Sequence, residues 1–347
     1  MAVVGVFLLL HWSAYDIVEK KMEARRYKVI DIIGAGSLGL LFAGRLSASG
    51  ATVRLWTRTL EQAHIIAREG ITVLDKEGQV AVHVSGDQLK VAPLADWQRL
   101  NSQTSARWIM FLTKQGAIEE VLEQIQPVAQ TETGTGIICL QNGIGHIERI
   151  RQAWPKAVVY PAVTTEGAKK QGAASIVHAG SGVTEIGYSE EVEGEHNTDF
   201  KQYVLNRLLA AGFDVCLSKE IEKGIYRKLL INAVINPLTA VWRVRNGELL
   251  SEPVRIHMMR KLYDEGIQVY EAHGIRWESA WWDQIMDVCR ATAENHSSML
   301  ADVLAHSMTE VASINGQLVQ MAKRAGISAP THEVLWQLIE GMRLKEG

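Results

Sequence analysis

From Lys28 onward the chain alternates short apolar, β-branched runs with longer runs whose apolar residues recur every three or four positions. Lys28-Val-Ile-Asp-Ile-Ile33 predicts a buried strand, with structure beginning at Tyr27. Residues 40–49 predict a helix, with Gly50 suited to its C-terminal cap, and Thr52-Val-Arg-Leu-Trp56 predicts the next strand. Strand, helix and strand in that order form a βαβ unit, the opening of a doubly wound parallel sheet. The alternation continues with strands over 106–112, 136–140, 158–160, 175–178, 183–187 and 214–217, and helices over 117–125 and 200–210. The acidic, Gly-containing stretch 189–199 reads as an exposed loop.

After about residue 219 the strand signal stops. Helical periodicity covers 221–236, 252–273, 278–294, 297–325 and a short segment at 331–343. Pro237 is expected to end or kink the first of these just after Asn236. The pattern therefore predicts an α/β Rossmann-type domain over 27–218 and an all-α domain over 219–347. Residues 1–26 stand outside both. They open with the apolar run Met1-Ala-Val-Val-Gly-Val-Phe-Leu-Leu-Leu10 and continue with a charged stretch through Arg26. Spanning a bilayer takes roughly 20 apolar residues, more than this run offers, and it lacks the basic start and small-residue cleavage site of a signal peptide. It reads as an extension with Met22 as the natural start, the competing reading being a weak membrane or partner anchor.

Composition supports a two-domain soluble chain. The 347 residues suit two domains at roughly 100–200 residues each, and 47% hydrophobic with 22% charged residues is a globular mix. A net charge of −3 argues against a wholly basic nucleic-acid binder. Three widely spaced cysteines (Cys139, Cys216, Cys289) form neither a disulfide framework nor a metal pair, which fits a reduced, cytoplasmic setting and no metal. Nothing marks an interface, so monomer and homodimer both stay open.

Three patterns carry chemistry. Gly34-Ala35-Gly36-Ser37-Leu38-Gly39 follows a strand and opens a helix, the context in which a G-x-G-x-x-G turn binds a dinucleotide pyrophosphate at a helix N-terminus. At the end of the second strand, where an NAD site offers an acid to the ribose hydroxyl, the chain offers Arg58. Arg58 lies 58 − 34 = 24 residues past the first glycine. A guanidinium there suits a 2′-phosphate, so NADPH/NADP+ is expected, although a solvated surface arginine also fits. Finally Lys228, Asn232 and Asn236, spaced i, i+4, i+8, share one face of an otherwise apolar helix. Such a stripe fits a buried polar network as well as a site facing a cleft.

In this order these segments resemble the ketopantoate reductases (2-dehydropantoate 2-reductases) over essentially all of 27–345. The further matching segments are Leu112-Thr-Lys-Gln115, Gln141-Asn-Gly143, Thr165-Glu-Gly-Ala168, Val177-His-Ala-Gly180, Arg227-Lys228 through Asn236-Pro-Leu-Thr239, Arg245-Asn-Gly-Glu248, Ser297-Ser-Met-Leu300, and Thr309-Glu310 to Ile314-Asn-Gly316. The resemblance implies a helical domain like that of 6-phosphogluconate dehydrogenase. It implies NADPH-dependent reduction of 2-dehydropantoate, a small 2-keto acid, to (R)-pantoate on the way to pantothenate and coenzyme A. Residue by residue, it implies that Lys228 is the catalytic general acid and that Glu310 is paired functionally with it. Asn142 would lie near the nicotinamide and substrate carbonyl, and Lys114 and Glu310 would touch the cofactor. Asn232, Asn236, Asn246 and Ser298, with Lys228, would hold the substrate. The residues alone also allow plainer roles: Asn142 as a turn residue, Glu310 in a surface ion pair, Ser298 as a helix N-cap, Lys114 as a solvated lysine. The chain departs from the family pattern at Ala312, where Asp is common, and over 305–308, which lacks an arginine often present before Thr-Glu. These departures favour weighing a different branched 2-keto acid as substrate. A non-catalytic NADP(H) sensor is a third reading, against which an intact Lys228 argues.

Overall fold

The computed structural model describes residues 29–101, 108–129, 135–188 and 195–342. The expectations for residues 1–26, and for the first part of the 189–199 loop, lie outside the described residues. β1 (Val29–Ile33), α1 (Ser37–Ala48) and β2 (Thr52–Thr57) form the βαβ unit, with β1 and β2 parallel and Ile33 opposite Trp56. α2 (Leu60–Glu69), β3 (Ile71–Leu74), β4 (Val80–Val84), β5 (Lys90–Pro93), α3 (Trp97–Asn101), β6 (Trp108–Phe111) and α4 (Ile118–Ala129) come next. They are followed by β7 (Gly136–Cys139), α5 (His146–Ala153), β8 (Val158–Thr164), β9 (Gly167–Lys170), β10 (Ser175–Gly180), β11 (Val183–Gly187), α6 (Glu195–Ala210) and β12 (Asp214–Ser218). Helix thus already covers 195–199, which the pattern assigned to a loop.

Eight strands form one sheet in the order β12-β11-β8-β7-β6-β1-β2-β5, parallel except where β11 meets β8. β4, β3, β10 and β9 form a separate four-stranded sheet that the hydrophobic pattern did not reveal. α1 packs on both sheets. That sandwiching accounts for a helix apolar on all sides, with Leu40, Leu41, Phe42, Ala43 and Leu46 fully buried. Within the large sheet Asp31 accepts from Arg54 Nε (2.6 Å) and Nη2 (2.5 Å) and from Trp56 Nε1 (2.7 Å). This buried pair clamps β1 to β2 just below the Gly-rich turn. On the far side of α1, His178 bridges Glu166 (2.5 Å) and Arg45 (3.0 Å), tying the small sheet to the helix.

The rest is helical: α7 (Ile221–Trp242), α8 (Pro253–Ala272), α9 (Trp281–Ala291), α10 (Ser298–Leu304), α11 (Val311–Arg324) and α12 (Pro330–Gly341). Two expectations are corrected here. First, of the two outcomes expected at Pro237, an end or a kink, the end does not occur: α7 continues to Trp242. A proline inside a helix orphans the carbonyl four residues back, here that of Ala233. Asn315 of α11 donates its Nδ2 to that carbonyl at 2.9 Å, replacing the missing bond. The same Nδ2 lies 2.9 Å from Nδ1 of His332, whose Nε2 donates to the Leu262 carbonyl at 3.0 Å. Burial pushes the His332 pKa down to about 4, in keeping with a neutral ring that accepts on one side and donates on the other. Second, the stretch 297–325 is two helices, not one. It breaks between Leu304 and Val311, where His306 takes a left-handed backbone (φ 51°).

Trp281 is buried in the helical core and Trp282 packs edge-on against Tyr263. Among the described residues no helix is long and apolar enough to cross a membrane.

Candidate active site

The Gly-rich turn joins β1 to α1. A Cβ on Gly39 would lie 1.8 Å from the Gly34 carbonyl oxygen, so only glycine lets the helix start this close to the strand. A Cβ on Gly36 would meet nothing within 4 Å. Gly36 is also the N-cap, with no side chain capping the helix and no acid in its first turn. Ala35 is buried, Ser37 and Leu38 are half-buried, and Gly36 is exposed. Free N–H groups facing open space at a helix start suit a pyrophosphate. Arg58 follows the end of β2, is exposed, and has no acidic partner among the described residues.

Lys228 sits early on α7, the helix that packs on both the large sheet (β8 and β11) and the helical core. Its Nζ donates to the carbonyl oxygen of Thr164, the last residue of β8, at 2.7 Å. Burial lowers its pKa to about 8, and the Glu310 charge opposes that shift. The ammonium is thus a stronger acid than a free lysine yet still mostly protonated at neutral pH. Glu310 is the N-cap of α11. Asn142, after β7, donates its Nδ2 to Glu310 Oε2 at 2.9 Å. Burial raises the Glu310 pKa, while the Asn142 bond and the Lys114 charge pull it down. Among the described residues Glu310 makes no hydrogen bond to Lys228, so its influence on the ammonium is that of a nearby charge.

The turn carrying Asn142 is pinned from both sides. Gln115 Nε2 donates to the Asn142 carbonyl (2.6 Å) and lies 2.9 Å from His146 Nδ1. Gly143, at φ 83°, would place a Cβ 2.3 Å from the Ser313 carbonyl oxygen. Lys114 is not simply solvated. Its Nζ donates to Asp302 Oδ1 (2.6 Å) and to the Met308 carbonyl (2.5 Å), across to the segment that interrupts the expected long helix. The break in 297–325 is thus where the helical half grips the cofactor-side loops.

Asn232 and Asn236 lie one and two turns beyond Lys228 on α7. Asn236 is buried, Asn232 half-buried, and neither carboxamide has a hydrogen-bond partner among the described residues. The stripe is therefore not a satisfied internal network, and unspent polar groups on a buried face point to a ligand. Asn246 is engaged: Nδ2 donates to Thr292 Oγ1 at 2.8 Å, leaving Oδ1 buried and unpartnered. Ser298 is exposed. It is not the N-cap of α10; Ser297 fills that role, accepting from Leu300 N and bonding Thr239 of α7 at 2.7 Å. Ala312 is exposed in the first turn of α11. Thr164, Gln115 and Asp302 had no role in the sequence reading. Gln115 lies in a matched segment, whereas nothing in the sequence singles out Asp302.

Two family models match the chain: ketopantoate reductase PanE/ApbA over residues 30–191 and ketopantoate reductase PanE/ApbA C terminal over 220–343. Among curated relatives, 2-dehydropantoate 2-reductase of Archaeoglobus fulgidus is 32% identical over 319 residues, covering 91% of this chain and 98% of that one. The enzyme of the same name from Vibrio cholerae is 31% identical over 313 residues, covering 90% and 96%. Among solved structures, the probable 2-dehydropantoate 2-reductase of Bacillus subtilis is 28% identical with a TM-score of 0.71, covering 90% of this chain and 99% of that one. A ternary structure of D-mandelate dehydrogenase with NADH and anilino(oxo)acetate has a TM-score of 0.79 at 24% identity, covering 91% and 98%. That likeness is one of fold.

Proposed function

The chain belongs to the ketopantoate reductase family, and from that premise we propose that it reduces 2-dehydropantoate to (R)-pantoate with NADPH, Lys228 serving as general acid. The observation that carries this reading is the constellation around Lys228: a desolvated ammonium anchored on Thr164, facing the Asn142–Glu310 pair, with two unspent asparagines above it on the same helix face. The division of labour follows: residues 27–218 hold the cofactor and 219–347 the keto acid. When bound, the reduced nicotinamide supplies a hydride to the ketone carbon. As that carbon is reduced, its oxygen gains negative charge, and Lys228 stabilises it and then transfers the proton from Nζ. Asn142, held by Gln115 and Glu310, supplies a directed donor beside the reacting carbonyl. Asn232, Asn236 and Ser298 bind the substrate's hydroxyl and carboxylate. Asn246, held on Thr292 through its Nδ2, is the fourth residue of this substrate-binding set.

The cofactor choice rests on Arg58, because the fold alone does not decide it: a dehydrogenase of the same fold was solved with NADH. Arg58→Ala should weaken NADPH much more than NADH. A second reading, reduction of another branched 2-keto acid, is favoured by the exposed Ala312 beside Glu310. Comparing kcat/KM across a panel of 2-keto acids with NADPH decides between them. The leading reading expects 2-dehydropantoate to rank first by at least tenfold; a higher value for a different acid would replace it.

A further inference from the structure

We propose that Lys170, on the edge strand of the small sheet, is a second cationic residue for the cofactor's 2′-phosphate, so that cofactor choice is set jointly with Arg58. The inference rests on the NADP(H) reading above and adds a residue from a different part of the fold.

The first observation is how the small sheet meets the cofactor turn. Gln62, in the first turn of α2, donates through Nε2 to the Ala35 carbonyl of the Gly-rich turn (2.8 Å) and to the Ala173 carbonyl in the β9–β10 connection (3.0 Å). One side chain, four residues after Arg58, thus fixes the β9–β10 hairpin against the turn that would hold the pyrophosphate.

The second is register. β9 and β10 are antiparallel with Lys170 opposite Ile176 and Lys169 opposite Val177. Opposed residues share a sheet face. Ile176 is fully buried in the core that contains α1, so Lys170 lies on the α1 side and Lys169 on the other. Lys170 itself is exposed on that side of the edge strand.

The third is charge. Neither Lys170 nor Arg58 has an acidic partner among the described residues. Partial burial, and after it the Arg58 charge, pushes the Lys170 pKa down. Two like charges brought together without a counter-ion are unfavourable in the free protein. A dianionic phosphate between them removes that repulsion, whereas a ribose hydroxyl does not. The two residues are 170 − 58 = 112 positions apart, so no local motif shows the pairing.

The test is binding, measured by fluorescence titration of NADPH and NADH and by calorimetry of 2′-AMP and 5′-AMP, with wild type, Arg58→Ala, Lys170→Ala, Lys170→Arg and Lys169→Ala. Lys170→Ala should weaken NADPH and 2′-AMP by about tenfold, the loss of one charge-assisted contact. It should leave NADH and 5′-AMP within twofold, Lys170→Arg should restore tight NADPH binding, and Lys169→Ala should change nothing. If Lys170→Ala affects NADPH and NADH equally, or neither, while Arg58→Ala selectively loses NADPH, the role of Lys170 is refuted and the NADP(H) reading stands. If wild type binds NADPH and NADH alike, the NADP(H) reading fails and this proposal fails with it.

Discussion

Asn315 should prove to be the residue that lets α7 run past Pro237, and its removal gives a quantitative test of how that helix is built. Asn315→Ala strips two buried acceptors of their donor: the Ala233 carbonyl, already deprived of its intrahelical bond by Pro237, and Nδ1 of His332. An orphaned buried polar group costs about 1–3 kcal/mol. Part of that is recovered because Asn315 Oδ1 is itself buried without a partner and disappears with the side chain. The expected net loss is about 3 kcal/mol. Pro237→Ala supplies an N–H at position 237 that can reach the Ala233 carbonyl, so one of the two orphans is satisfied again. Asn315→Ala should therefore cost about 1–2 kcal/mol less in a Pro237→Ala background, a coupling well above the roughly 0.3–0.5 kcal/mol scatter of independent sites. Urea denaturation followed by tryptophan fluorescence measures all four corners of the cycle, since Trp281, Trp282 and Trp336 belong to this core. Additive effects would show that the proline is tolerated for some other reason. Because Asn236 immediately precedes Pro237, Asn315→Ala should also raise KM for the keto acid.

Three more outcomes are expected. Gly39→Ala should lower the melting temperature by several degrees, because its Cβ would sit 1.8 Å from a backbone oxygen, while Gly36→Ala, whose Cβ meets open space, should leave Tm unchanged and weaken NADPH; thermal unfolding with cofactor titration separates the two. Asp31→Leu should destabilise the protein by about 3–5 kcal/mol by leaving Arg54 buried without its carboxylate; Asp31→Leu combined with Arg54→Met should recover most of it in the same urea assay. Acid should destabilise the helical core: the His332 pKa, down to about 4 when folded and near 6.5 when unfolded, means the unfolded chain binds the extra proton, so stability present above pH 6.5 is lost as pH falls towards about 4. The loss is up to about 3 kcal/mol for that residue, and urea midpoints of wild type and His332→Asn across this window should converge at low pH.

How much of this was legible depended on the range of the interactions involved. The βαβ unit was readable because its determinants are local: a β-branched run, a glycine turn at fixed spacing and a helix. The small sheet was not. Only β10 is among the expected strands; β3 (Ile71–Leu74) and β4 (Val80–Val84) are short β-branched runs, and β4 is mostly exposed, so neither stands out as a core strand. The rule that makes Pro237 an end or a kink is local, whereas the donor that lets the helix continue is 82 positions from Ala233. The break near Ala305 was invisible because apolar periodicity continues on both sides. What holds it open is Lys114, across the chain, bonded to Asp302 and the Met308 carbonyl. In the candidate site, Lys228, Asn142 and Glu310 were found because chemistry restricts residue type there. Thr164 was missed as the Lys228 anchor because a carbonyl oxygen carries no side-chain signature.

The central claim is that Lys228, held near pKa 8 by burial, delivers the proton in an NADPH-dependent reduction. The most direct measurement is the pH profile of kcat/KM for NADPH oxidation with 2-dehydropantoate, wild type against Lys228→Ala. The account predicts a wild-type profile that falls tenfold per pH unit above about 8, as the ammonium loses its proton. For Lys228→Ala it predicts turnover reduced by orders of magnitude, no descending limb near pH 8, and unchanged NADPH binding. Turnover within severalfold of wild type in Lys228→Ala, with the same descending limb, would contradict it.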